Sequence, residues 1–430
     1  MKLSSIIGKL AGFVGARFFG AGIGFLSQIA LTRLLPVADV GIVFLGMSIA
    51  AFISLAVVGG YALLAMTHVP RLVMHGKNSG LHQFNNVVMR DSALATGMTI
   101  VIVFALVKSG VFTEGQNIAL VFGCLCAPAS GILRFNSALA TADRRVELGY
   151  VPDFLVRPVL FLLVILFGYL IGFTWNTHTV LLTFAAMAYV TALGQAFILA
   201  PAGLAPLSYS APRQAFSSRL RPRAFALTIV SAVAFAFADI VTMVAGLILP
   251  ADEVALVGVT IRLAAIAGFI LQAGQMFVMT DFTQAVMRRD ETLVRALLLK
   301  INLTTLAVVG MAVVGALIFG HFALGIFGSE YVRGTGLLAL FMVGQSIRAL
   351  GGMNQHILSI NGQQMRTAGA CVVTLLIFFC LAWLLTQQLG FLGIGYAVIG
   401  AEVTWLLALA GLSQKLCGRR GDMLWLIRNP

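Results

Sequence analysis

Four charged side chains stand deep inside apolar stretches long enough to cross a bilayer. At a helical rise of about 1.5 Å per residue, Asp239 lies about 15 Å from the outer end of its stretch, Arg262 about 12 Å, Glu402 about 13 Å and Arg348 about 20 Å. Arg17 enters the first stretch from its other end and is their counterpart in the first half of the chain. A charge in hydrocarbon is costly, so it marks an ion or substrate path, or a bonded partner. An arginine can grip a phosphate with two parallel donors. A buried acid can exchange a proton or hold Na⁺. Asp239 and Arg262 fall on adjacent antiparallel stretches at matching depth, where a permanent structural pair competes with a transport role. Arg348 and Arg17 show no obvious acidic partner, the pattern of a water-filled cavity. Arg17, Arg262 and Arg348 are therefore the expected anion-binding residues, and Asp239 and Glu402 the expected ion-coupling acids.

Arg134, Arg157 and Lys300 lie within a few residues of a span end, where long cationic side chains usually snorkel to the headgroups. Arg157 precedes Pro158, so a local helix break could direct its donors inward. Arg157 and Arg134 join the candidate anion-binding set. Gln28, Gln195, Gln272, Gln275, Gln345, Asn354 and Gln355 add amides that suit a sugar-lined passage, although such groups also bond helices together. His68, His75 and His82 share one helical face but stand about 10.5 Å apart in turn, too far for one metal. No nucleophile elbow, phosphate loop, zinc motif or dinucleotide fingerprint occurs in a matching context. No catalytic residue, cofactor or metal is expected. With no extramembrane domain large enough for a soluble active site, a transporter is favoured over an enzyme.

The elements that must position these residues follow from composition. The chain has 430 residues, of which 28 are basic and 15 acidic, and 60% are hydrophobic. Soluble domains carry about one charge in four residues, so this chain could not cover a water-facing surface. The same numbers exclude disorder and nucleic-acid binding despite a net charge of +13. Twelve spans are expected, at about 11–32, 40–64, 92–112, 118–140, 154–173, 179–200, 225–249, 254–280, 296–320, 335–360, 367–389 and 393–413. The fold class is an all-α polytopic membrane protein. Nineteen basic residues fall on the side of the termini and only three on the other, which places both termini in the cytoplasm. The first apolar run, interrupted by Arg17 and lacking a cleavage site, reads as an uncleaved span.

The Pro- and Arg-rich segment 201–224 divides the spans six and six. Residues 1–200 are expected to form one six-helix lobe, 201–224 a cytoplasmic linker, 225–413 the second lobe and 414–430 a cytoplasmic tail. A repeat supports this division. Leu35-Pro36-Val37-Ala38-Asp39-Val40 and Leu249-Pro250-Ala251-Asp252-Glu253-Val254 follow the first and seventh spans, 214 residues apart. Six spans per unit preserve orientation, so the lobes would be parallel repeats. In span 1, Gly8, Gly12, Ala16, Gly20 and Gly24 recur every four residues, a face for close helix packing. Cys124, Cys126, Cys371 and Cys380 lie in apolar stretches, and with Cys417 they show no metal or disulfide spacing.

The opening from Ala16 to Gly60 resembles that of Wzx-type polysaccharide flippases, members of the multidrug/oligosaccharidyl-lipid/polysaccharide exporter superfamily. The resemblance rests on Arg17 and Gly20, the Leu31-Thr32-Arg33-Leu34-Leu35 run, Val40-Gly41 and a Ser48-containing second span. Ala238–Ala264 and Gly325–Gly334 carry further loose matches. It implies alternating access and transfer of undecaprenyl-pyrophosphate-linked oligosaccharide across the bacterial inner membrane. Membrane lipids, a polysaccharide polymerase and export machinery are its expected partners. A cation-coupled multidrug antiporter of the same superfamily and a membrane polysaccharide polymerase or ligase are the alternatives. Twelve spans rather than fourteen argue against a peptidoglycan-precursor flippase, and the absence of a deep acid in the first lobe weakens the antiporter. The longest loop on the outer side, about fourteen residues, is short for a polymerase.

Overall fold

The computed structural model describes residues 3–74, 78–143, 145–200, 214–288 and 290–423. Among them the only regular structure is helical. The chain divides into two compact units, Met1–Gly246 and Leu247–Pro430.

The first unit contains α1 (Leu3–Leu34), α2 (Val37–Ser54), α3 (Gly60–Met74), α4 (Asn78–Lys108), α5 (Glu114–Ala142), α6 (Val146–Val151), α7 (Arg157–Leu170), α8 (Thr177–Leu199), α9 (Gln214–Phe235) and most of α10 (Phe237–Ile248). A π-helical turn, Leu55–Gly59, joins α2 to α3, and another, Pro152–Val156, joins α6 to α7. The second unit contains α11 (Ala251–Arg288), α12 (Glu291–Phe327), a 3₁₀ turn at Ser329–Gly334, α13 (Thr335–Leu350), α14 (Asn354–Ile360), α15 (Gln364–Leu389) and α16 (Leu392–Cys417). Among the described residues, eight helical stretches are singly long and apolar enough to cross a membrane. Two more qualify as bent pairs, Leu220–Val233 with Phe237–Ile248 and Ser329–Leu350 with Asn354–Ile360. The 32-residue α1 and the 38-residue α11 are also long enough to reach across a bilayer.

These residues form helices because a bilayer leaves no water for backbone groups, and a helix satisfies its own. The ends are marked locally. Thr113 and Gln116 cap α5 reciprocally, and Asn176 and Thr179 do so for α8. The two Leu-Pro motifs each open a new helix in the same way, with Val40 N donating to the Pro36 carbonyl and Val254 N to the Pro250 carbonyl. Packing then depends on small residues. Ala50, Cys126, Ala129, Ala185 and Ala188 form a tight cluster that brings α2, α5 and α8 together. A Cβ on Gly123 would lie 2.6 Å from Ile49. The glycine face of α1 is used at Gly20, where a Cβ would meet the Phe154 carbonyl oxygen, but Gly24 faces open space.

Of the expected linker 201–224, residues 201–213 lie outside the described residues. Helix α9 packs with the first unit. Gly60 N donates to Thr228 Oγ1 at 3.0 Å, and a Cβ on Gly60 would overlap the Ala224 carbonyl. A break expected at Arg157–Pro158 is absent. The Arg157 N–H instead reaches back to the Pro152 carbonyl, the wider bond of the π-turn, and α7 continues through Pro158.

Candidate functional site

In the second unit, α13 and α16 bring Arg348 and Glu402 together. Arg348 Nη2 stands 2.6 Å from Glu402 Oε1, and its Nε lies 3.0 and 3.1 Å from the two carboxylate oxygens. The Glu402 side chain is 2% exposed, whereas that of Arg348 retains 21%. The expectation that Arg348 lacks an acidic partner is thereby corrected. Two helices whose hydropathy leaves their facing sides undetermined turn these residues toward each other. The fork geometry supplies short charge-assisted bonds that compensate a carboxylate removed from solvent. Arg262, on α11, donates from Nη1 to the Gly258 carbonyl one turn earlier, at 3.1 Å.

In the first unit, Ser48 Oγ on α2 donates to Asp239 Oδ1 on α10 at 3.2 Å. Ser48 is fully buried. Arg157 opens α7 directly after the π-turn. Its Nη1 lies 3.6 Å from Asp153, its Nη2 3.8 Å from Cys126 Sγ, and its guanidinium 4.4 Å from the centre of the Phe184 ring. Arg157 is therefore packed among protein groups at 15% exposure, and the outward-reaching posture usual for a span-end arginine is not adopted. Arg134 is half-buried on α5. The side chain of Arg17 lies outside the described residues. Asp239 belongs to the first unit and Arg262 to the second.

A further cluster was not anticipated from the sequence. Asp91 on α4 accepts from Tyr61 Oη at 2.6 Å and from Arg221 Nε and Nη2 at 2.9 and 2.7 Å. The neighbouring Ser92 hydroxyl donates to the Val57 carbonyl within the first π-turn. Tyr61, Asp91 and Arg221 thus fasten α3, α4 and α9 next to the close approach at Gly60. Asp91 at the edge of an apolar run reads as an ordinary headgroup-level acid, and only the meeting of three helices distinguishes it. Among the described residues no group of three His, Cys, Asp or Glu side chains could hold a metal ion.

No family model and no curated protein sequence matches the chain. Solved structures do. An inward-facing multidrug resistance MATE family transporter of the MOP superfamily matches with a TM-score of 0.72 at 15% identity, over 92% of this chain and 93% of that one. The lipid II flippase MurJ, in an inward closed conformation, matches with a TM-score of 0.72 at 13% identity, over 93% and 86%. An outward-facing MATE transporter matches with a TM-score of 0.59 at 14% identity, over 95% of both chains. The fold is that of the MATE and MurJ proteins. This MATE- and MurJ-like architecture spans nearly the whole chain.

Proposed function

We propose that this chain is a flippase that carries undecaprenyl-pyrophosphate-linked oligosaccharide across the bacterial inner membrane by alternating access, with both termini cytoplasmic. The observation that carries this reading is the Arg348–Glu402 pair inside a fold of this kind. Glu402 is sealed from solvent, while the Arg348 side chain it orients keeps an exposed portion. A preorganised arginine of this type suits a pyrophosphate, whose oxygens match its donors. The likeness to MurJ, a lipid II flippase, supports a lipid-linked cargo, and the basic bias at the termini supports the orientation.

The pair also bears on energy coupling. A proton or Na⁺ at Glu402 would release Arg348 for the anion, so cation and cargo would bind together. An inward cation gradient would then oppose export. Outward movement of an anionic cargo along an interior-negative potential has the favourable sign and gains about 2.3 kcal/mol per charge per 100 mV. Glu402 thus holds Arg348 in position, and the membrane potential drives transport. Asp239, bonded to Ser48, is the remaining candidate for a coupled ion. The MATE likeness supports a second reading, a cation-coupled multidrug antiporter. Reconstituted vesicles separate the two. A flippase moves the lipid-linked oligosaccharide under a potassium–valinomycin potential with no pH gradient, and its deletion in cells accumulates lipid-linked repeat units at the cytoplasmic leaflet. Drug efflux driven by a cation gradient, with no effect on lipid-linked sugar, would establish the antiporter.

A further inference from the structure

The segment after α16 folds back into the break between α13 and α14. Gly418 takes a left-handed conformation, with φ of 68°, and reverses the chain. Ser413 Oγ then donates to the Arg419 carbonyl at 2.8 Å, and the Arg419 guanidinium pairs with Glu291 at the start of α12. Gly421 reaches the break itself. Its carbonyl accepts from Met353 N at 3.1 Å and from Asn302 Nδ2 on α12 at 3.0 Å, and its N–H donates to Asn354 Oδ1 at 2.7 Å. Asp422 is completely buried. It accepts from Asn354 Nδ2 at 3.1 Å and from Arg420 Nε and Nη2 at 2.8 and 2.9 Å. Gln275 on α11 closes the arrangement by donating to the Gly352 carbonyl at 3.1 Å.

A broken helix within a membrane protein leaves backbone groups that need partners. In an uninterrupted helix Met353 N would bond to the Ala349 carbonyl, but here Gly421 takes that place. The fit is close, because a Cβ on Gly352, which has φ of 54°, would overlap the Gly421 carbonyl oxygen. Arg348 stands in the last turn of α13, and its own carbonyl accepts the Gly351 N–H at 3.1 Å. The direction of that turn, and with it the seat of the guanidinium on Glu402, is bound to the geometry of the break.

We infer that the strap Gly418–Met423 positions Arg348, with Asp422 as its buried anchor. This deepens the function proposed above and rests on it for the role of Arg348. Full-length protein in nanodiscs provides the test, using Asp422→Asn and the double variant Arg420→Gln/Asp422→Asn. The double variant replaces the ion pair with neutral amides and avoids a stranded charge. Hydrogen exchange is measured over 347–357, and binding is measured with undecaprenyl pyrophosphate. The expected result is faster exchange at 351–357 together with 418–423, and about tenfold weaker binding that Arg348→Ala does not weaken further. Faster exchange confined to 418–423, with binding unchanged, would overturn the strap. Wild-type protein that fails to bind the probe refutes the cargo reading, while the exchange over 351–357 still decides the strap. A Glu291→Gln control, which removes only the Arg419 contact, should leave exchange at the break unchanged.

Discussion

Cutting the Arg348–Glu402 pair from its two sides should have unequal effects. Arg348→Ala leaves a carboxylate at 2% exposure without its fork of three contacts. Breaking a buried pair in this way costs about 3–5 kcal/mol, because the stranded charge has neither water nor partner. At a factor of ten per ~1.4 kcal/mol, that is roughly a hundredfold to several thousandfold in the folded-to-unfolded ratio. Glu402→Gln leaves the cation behind, but Arg348 retains 21% exposure and an amide oxygen within reach, so a smaller loss is expected. The double variant Arg348→Ala/Glu402→Gln removes both charges and should recover most of the stability lost by Arg348→Ala alone. Detergent-solubilised protein can be followed by thermal unfolding and size-exclusion fluorescence, and the four proteins form a double-mutant cycle. Transport should follow a different order. Glu402→Gln retains part of the export, and both proteins lacking Arg348 export nothing, although the double variant is well folded. Stability of Arg348→Ala equal to that of the double variant would mean that the pair carries no coupling energy and that no charge is stranded at Glu402. Normal export by the double variant would remove Arg348 from the cargo path.

Three further outcomes are expected. Gly60→Ala drives a methyl group into the Ala224 carbonyl and Thr228, and overpacking of this kind costs about 1–3 kcal/mol, whereas Gly97→Ala enters open space inside α4 and should be neutral to slightly stabilising in the same unfolding assay. Arg221→Ala removes a half-exposed partner and should cost about 1 kcal/mol or less, while Asp91→Ala, which also strands the Tyr61 hydroxyl, should cost about 1.5–3 kcal/mol; equal losses would contradict the placement of Asp91 at the centre of the cluster. Reporter fusions after residues 37, 114, 252 and 330 should read periplasmic and those after 78, 145, 215, 290 and 425 cytoplasmic; a periplasmic reading at 215 would overturn the two-lobe topology.

The elements of this protein were largely legible in its sequence. Most of the expected spans recur as helices long and apolar enough to cross, because hydrophobicity over about 20 residues is a local property that a bilayer reads directly. The Leu-Pro motifs, visible in the sequence as a repeat after the first and seventh spans, stand at the starts of α2 and α11. Close packing at Gly20 was likewise visible, although the same spacing extended to Gly24, which packs against nothing.

Tertiary structure decided which charges meet. Arg348 and Glu402 differ by about 7 Å in counted depth, a gap that conceals the pair until the length of the arginine side chain and its tilt toward the helix N-terminus are added. Nor does a span surrounded by lipid and other helices have the polar face that would reveal its rotation, so hydropathy could not show α13 and α16 turning these residues together. Asp91 acquires its role only where α3, α4 and α9 converge, and Asp422 only because the strap returns to a helix broken some 70 residues earlier. Partnership between distant polar groups depends on which faces pack, and packing is settled by the shapes of many side chains at once, which no local pattern records.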